Sequence, residues 1–155
     1  MRAVLVAALV ALAGCVVEQE SSPRTISASA DGDGLAMNAT VTSEDGRHGL
    51  SAVVRNVGRE TYNISSICAP VYSHHIERAG DHVWPEPEVM CMAYGVKPFA
   101  PGSSESLDAS WDESLSEGGG KAEPGDYLWV VTFHYKEEEA GPWLELSVDV
   151  PFQVR

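Results

Sequence analysis

Positive charge is scarce in this chain of 155 residues: ten Lys and Arg stand against 23 Asp and Glu, for a formal net charge of -13. That excludes nucleic acid as a partner, because nothing would neutralise its phosphates. It also disfavours lying flat on anionic lipid. Apolar length is scarce as well. The run Ala3 to Ala13 falls short of the roughly 20 residues that a helix needs to cross a bilayer. No later stretch shows an apolar period of 3.6, so a helical domain is excluded. There is no Gly-x-Ser-x-Gly and no His-Glu-x-x-His. Asp and Glu are plentiful, but abundance sets no pair at a working distance, and Ser103-Ser104 after Pro101-Gly102 reads as turn polarity. The chain is therefore expected to catalyse nothing and to need no cofactor. Cysteine is sparse too: Cys15, Cys68 and Cys91 are the whole set.

The first of these closes the apolar run. Arg2 followed by Ala3 to Ala13 suits the basic and hydrophobic regions of an export signal. An ordinary signal ends in an Ala-x-Ala-like cleavage site. Here the end is Leu12-Ala13-Gly14-Cys15, which resembles the lipobox of bacterial lipoproteins. The resemblance covers residues 1–15. It implies that the Cys15 sulfur takes a diacylglycerol, that a peptidase cuts before it, and that the new N-terminus gains a further chain such as palmitate. One acyl chain anchors marginally, and two or more hold stably, at about 0.8 kcal/mol per buried methylene. The expected organisation is a signal peptide over 1–14, a lipidated flexible tether over 15–33 and one domain over 34–155. A plain secreted protein with an incidental Cys15 is the competing reading.

Export sets the compartment for Cys68 and Cys91, which then mature where disulfides persist. With Cys15 lipidated, these two pair with each other. The bond closes a loop of about 24 residues, an entropic stabilisation of about 3.5 kcal/mol in the chain-entropy model. A reactive thiol beside a bystander is the alternative.

The domain is dominated by period-two alternation, the mark of half-buried strands. In "WLELSVDVPFQV", Leu144, Leu146, Val148, Val150, Phe152 and Val154 fall on one side, and Pro151 suits an edge or a bulge. In "YLWVVTFHY", Tyr127, Trp129, Val131, Phe133 and Tyr135 share a face. Leu128 and Val130 on the other face form either an exposed apolar strip or a surface under an N-terminal strand. Leu35 to Val41, Leu50 to Val54, Tyr62 to Ser66, Val71 to Arg78, His82 to Trp84 and Glu105 to Trp111 repeat the theme between Gly- and Pro-bearing turns. Seven or eight short strands in about 120 residues read as an antiparallel β-sandwich.

Three stretches in order carry a second resemblance: "LSAVVRNVGRETYNISS", "VYSHHIERAGDHVW", and "FAPGSSESLDASWDES" leading to "PGDYLWVVTFHY". They resemble the BsuPI-type domain, the intracellular proteinase inhibitor family, over about residues 36–155. The matching features are Pro101-Gly102 before a strand ending in Trp111, and Pro124-Gly125-Asp126-Tyr127 opening the next. The resemblance implies an Ig-like sandwich that binds a protein, such as a peptidase. Trp111 and Tyr127 are expected to be core pillars whose N–H and O–H find partners near one end.

Two surfaces are candidates for function. The segment Trp84 to Phe99 carries Trp84, Pro85, Pro87, Met90, Met92 and Tyr94, and Cys91 braces it. A braced loop loses less entropy on binding, which favours a partner-binding role. The second candidate is a metal site, copper above all, formed by His74, His82, Met90 and Met92. His74 and His75 point to opposite faces of one strand, so only one of them can join it. The expected protein is an extracytoplasmic lipoprotein of the cell envelope, periplasmic or at the cell surface. It touches the bilayer through Cys15 and a protein partner through its sandwich. A metal-binding module and a structural envelope component are the alternatives.

Overall fold

Period-two alternation becomes two facing antiparallel sheets. The computed structural model describes residues 22–66, 71–84, 95–115 and 119–155. Ten strands run through them: β1 (Arg24–Gly32), β2 (Leu35–Glu44), β3 (Arg47–Asn56), β4 (Tyr62–Ser65), β5 (Tyr72–Arg78), β6 (Asp81–Trp84), β7 (Val96–Phe99), β8 (Ser104–Trp111), β9 (Gly125–Tyr135) and β10 (Leu144–Val154). One sheet has the order β1-β2-β3-β8, the other β10-β9-β5-β6, and β4-β7 is a two-stranded ribbon. The inward residues of both large sheets form one core. The architecture is the expected all-β antiparallel sandwich.

The alternating sets fall where the sequence puts them. Tyr127, Trp129, Val131, Phe133 and Tyr135 are buried, as are Leu146, Val148, Val150, Phe152 and Val154. Pro151 lies on β10, an edge strand, opposite Leu128. Trp111 and Tyr127 are buried with their rings 5.7 Å apart. Trp111 Nε1 donates to the Ser114 carbonyl and the Tyr127 hydroxyl to that of Glu123, both at 2.8 Å.

Polar side chains tie the layers. The Tyr72 hydroxyl, on the second sheet, accepts from the Val54 N–H at 3.0 Å and donates to the Glu105 carbonyl at 2.8 Å, both on the first sheet. Buried Asn56 donates to the carbonyls of Glu60 and Phe99 and accepts from the Gly58 N–H, fixing the chain between β3 and β4 to the end of β7. Asp33 receives the Tyr135 hydroxyl on its carboxylate at 2.7 Å and the Tyr62 hydroxyl on its carbonyl.

Three expectations need correction. Residues Arg24–Gly32 are not tether but β1, paired with β2 over its whole length. Within the segment Trp84 to Phe99, Val96–Phe99 is β7, paired with β4. With these two, the described residues hold ten strands rather than seven or eight. Trp84 is the last residue of β6 and packs inward, with its ring 6.1 Å from that of Trp129, so it is no part of an exposed contact loop. Cys15, Cys68, Cys91, Pro85, Pro87, Met90, Met92 and Tyr94 lie outside the described residues.

Candidate functional site

The outer face of the β10-β9-β5-β6 sheet gathers most of the chain's histidines. Register decides this. Cross-strand partners share a face, and on β5 and β9 the outward pairs are Ser73 with Thr132, His75 with Val130, and Glu77 with Leu128. On the β5–β6 hairpin, Ala79 and Gly80 form a two-residue loop with φ of 53° and 89°, as a type I′ turn requires. That loop sets Glu77 opposite His82.

His75 Nε2 then lies 2.8 Å from Glu77 Oε1, and His82 Nε2 lies 3.2 Å from the same oxygen. The two imidazoles stack with centroids 4.0 Å apart and planes at 27°. The hydrogen bond from His75 is the main influence holding the Glu77 carboxyl below its ordinary range, against a smaller opposing effect of burial. Continuing the same register would place Trp84 opposite His75, over this cluster. A β-bulge after Ile76 prevents it: Trp84 pairs with Ile76 instead and turns into the core.

The predicted ligand set His74, His82, Met90 and Met92 is therefore not assembled as expected. His74 is buried on the inner face, where its Nδ1 accepts from Trp129 Nε1 at 3.3 Å and its ring lies 5.5 Å from that of Trp84. Burial, and then the nearby His75, lower its pKa. His74 and His82 look in opposite directions. The side chains that the fold brings beside His82 are His75 and Glu77, which the expected set did not include. Their spacing of two on one strand, and the Ala-Gly turn after them, were the signals that could have supplied them.

Along the same face, His134 shares a hydrogen bond with Ser73 at 2.8 Å and faces Glu145 at 3.5 Å. Burial lowers its pKa, with Glu145 opposing. Beyond Glu77 an open groove of about 430 Å³ is lined by Ile26, Leu128, Pro151 and Phe152, with Glu77 and Asp126 among the residues at its edge. Leu128 is 36 % exposed at this groove and Val130 is half-buried. Among the described residues no N-terminal strand lies over the outward strip, because β1 joins the opposite sheet.

A third array resembles catalytic machinery on paper. His48 Nδ1 lies 2.8 Å from Ser43 Oγ, and His48 Nε2 lies 3.2 Å from Glu113 Oε1. Ser43 and His48 are cross-strand partners, so the contact follows from the β2–β3 register. The imidazole is almost fully buried, with its centroid 5.5 Å from that of Trp111 and 4.9 Å from that of Phe152. It is hydrogen-bonded and packed on the core at one end of the sandwich, beside an open pocket that Ser43 and Glu113 also line. No protein-family model matches this chain, and no curated protein matches it.

Proposed function

We propose that the protein is an extracytoplasmic lipoprotein, anchored through Cys15, whose β-sandwich is a non-catalytic module that binds a protein partner. The observation that carries the binding half is the groove beside Leu128. It is open, its lining is mostly apolar, and it includes the outward face of the sheet beside the edge strand β10, where side chains point to solvent. Its rim carries Glu77 and Asp126, and the chain as a whole has a formal net charge of -13. The partner that fits is a segment presenting one apolar side chain flanked by basic residues. The resemblance to the BsuPI-type inhibitors makes a peptidase the first partner to test.

Two further features support this reading. The Leu-Ala-Gly-Cys motif accounts for the position of Cys15. In the Ser43–His48–Glu113 array the imidazole is almost fully buried against Trp111 and Phe152, which favours a structural part for it over a catalytic one.

The test is incubation with a panel of serine peptidases. Inhibition with the sandwich left intact, relieved by Leu128→Asp, is the expected result. Digestion or indifference across the panel removes the peptidase from the reading. A fluorophosphonate probe is expected to leave the protein unlabelled, and labelling abolished by Ser43→Ala would overturn the non-catalytic assignment. The Cys15→Ser variant is expected to lose all fatty-acid labelling.

A further inference from the structure

The β5–β6 hairpin offers a metal site. We propose that His75 Nε2, His82 Nε2 and a carboxylate oxygen of Glu77 bind one divalent ion of the zinc class, with a fourth position left to water.

The argument begins with the donors. Two imidazole nitrogens and one carboxylate oxygen are a set that suits Zn²⁺, with Cu²⁺ and Ni²⁺ as chemically similar competitors. Without thioether or thiolate, the set is a poor one for Cu⁺. Geometry comes next. A tetrahedral Zn²⁺ at about 2.0–2.1 Å from its ligands needs donors roughly 3.3 Å apart. The two nitrogen–oxygen separations are 2.8 and 3.2 Å, and all three donor atoms lie within 4.8 Å of one another. The nitrogen–oxygen separations need to change by at most about half an ångström, and side-chain rotations that unstack the two imidazoles turn both Nε2 lone pairs toward one ion. The backbone already sets the directions, because Glu77 and His82 are opposed on a tight hairpin and His75 is two residues from Glu77 on the same face.

Access is the third point. His82 is 57 % exposed, and His75 and Glu77 are 25 % and 23 % exposed. An ion could reach them from solvent, yet two of the three ligands are three-quarters covered, which limits their side-chain freedom. The bulge adds to this by turning Trp84 inward, away from the space in front of His75. Stacked imidazoles with both Nε2 atoms near a single carboxylate oxygen can also exist as a plain ion-paired cluster, and the experiment separates the two.

Zinc chloride titrated into the full-length protein, followed through the imidazole nitrogens by NMR, reads the site without any variant. The rings of His75 and His82 are expected to shift and saturate together, while those of His48, His74 and His134 stay in place. Equilibrium dialysis then gives the affinity. His75→Ala or His82→Ala is expected to weaken the histidine-dependent site by roughly a hundredfold or more, given that loss of even an outer hydrogen-bond partner costs 10- to 100-fold. The double variant Cys68→Ser/Cys91→Ser and the variant His134→Asn are expected to leave it unchanged. Ring nitrogens of His75 and His82 that stay put at saturating zinc would overturn the proposal, as would binding that follows the cysteines instead. Neither result depends on lipidation or on the protein partner.

Discussion

At the scale of single residues, the two large sheets are joined by a tyrosine hydroxyl. Tyr72 satisfies a buried N–H of β3 and a carbonyl of β8 at once. Burial is the first cause that raises its pKa, so the phenol stays protonated at any physiological pH. Tyr72→Phe keeps the ring and removes both bonds. It is expected to cost about 1–3 kcal/mol, the penalty for leaving buried polar groups unpaired, read as a lower urea midpoint with an unchanged slope. An unaltered midpoint would mean that water takes over both bonds. The histidines make a second prediction. Burial lowers the pKa of His74 and of His134 below the ordinary 6.5. The unfolded chain binds these protons at the ordinary value, so their contribution is fully present above about pH 6.5 and is lost as pH falls through their lowered folded values. Stability measured by urea titration is expected to decline from pH 7 to pH 5, and His134→Asn to flatten that decline. An equal slope in the variant would assign the effect elsewhere.

At the scale of elements, what could be read from the sequence was what alternates with large side chains. β9 and β10 place aromatic and branched residues at every second position, and no other structure suits that pattern. β1 was illegible because its core-facing positions are Ala28, Ala30 and Gly32, small residues that resemble tether composition, while its one large apolar residue, Ile26, stays exposed. Its true signal was Asp33-Gly34, whose φ of 51° and 73° make the type I′ turn that joins β1 to β2. β7 was hidden by Pro98 in a strand of four residues. The His75–Glu77–His82 cluster was within reach, since a two-residue loop at Ala79-Gly80 fixes Glu77 opposite His82; what could not be read was the bulge that removes Trp84. Two glycine variants separate backbone from packing. A Cβ at Gly34 would lie 2.8 Å from the Gly58 Cα, in a conformation that already disfavours L side chains. Gly34→Ala is therefore expected to cost more than about 2 kcal/mol. Gly80→Ala, with a φ of 89° and nothing within 4 Å of the new methyl, is expected to cost only about 1 kcal/mol of backbone strain. Equal losses in thermal denaturation would deny the close approach of Gly34 to Gly58. The same logic sets the domain boundary: a chain starting at residue 22 is expected to fold, and one starting at residue 34 to lose stability, because it bares the β2 edge along nine register pairs.

At the scale of the whole molecule, if Cys15 carries the proposed lipid anchor, the position of β1 sets how the sandwich would stand on a membrane. A tether ending at residue 33 would let the domain wander up to about 65 Å from a lipidated Cys15, at about 3.5 Å per residue. With β1 starting at Arg24, the reach to the first structured residue is at most about 30 Å. Charge acts within that limit. The lipidated form, which has lost Arg2 with its signal and keeps nine Lys and Arg against 23 Asp and Glu, carries a formal charge of -14, which an anionic bilayer would repel over a Debye length of about 8 Å at physiological salt and about 30 Å at 0.01 M. Under the proposed anchorage, low salt is expected to push the sandwich away from an anionic bilayer and added salt to let it approach. Energy transfer from a fluorophore placed at residue 24 to acceptors in the headgroups of anionic vesicles reads this distance. It is expected to stay under about 30 Å in all conditions and to shorten as salt rises, while zwitterionic vesicles show no salt effect. Ten Gly-Ser residues inserted before β1 are expected to lengthen the distance at low salt. A separation beyond the limit in the unmodified protein would mean that the lipid is attached elsewhere or that β1 comes away from β2 at the membrane. A short distance indifferent to salt would mean that a contact with lipid, rather than the tether, holds the sandwich down.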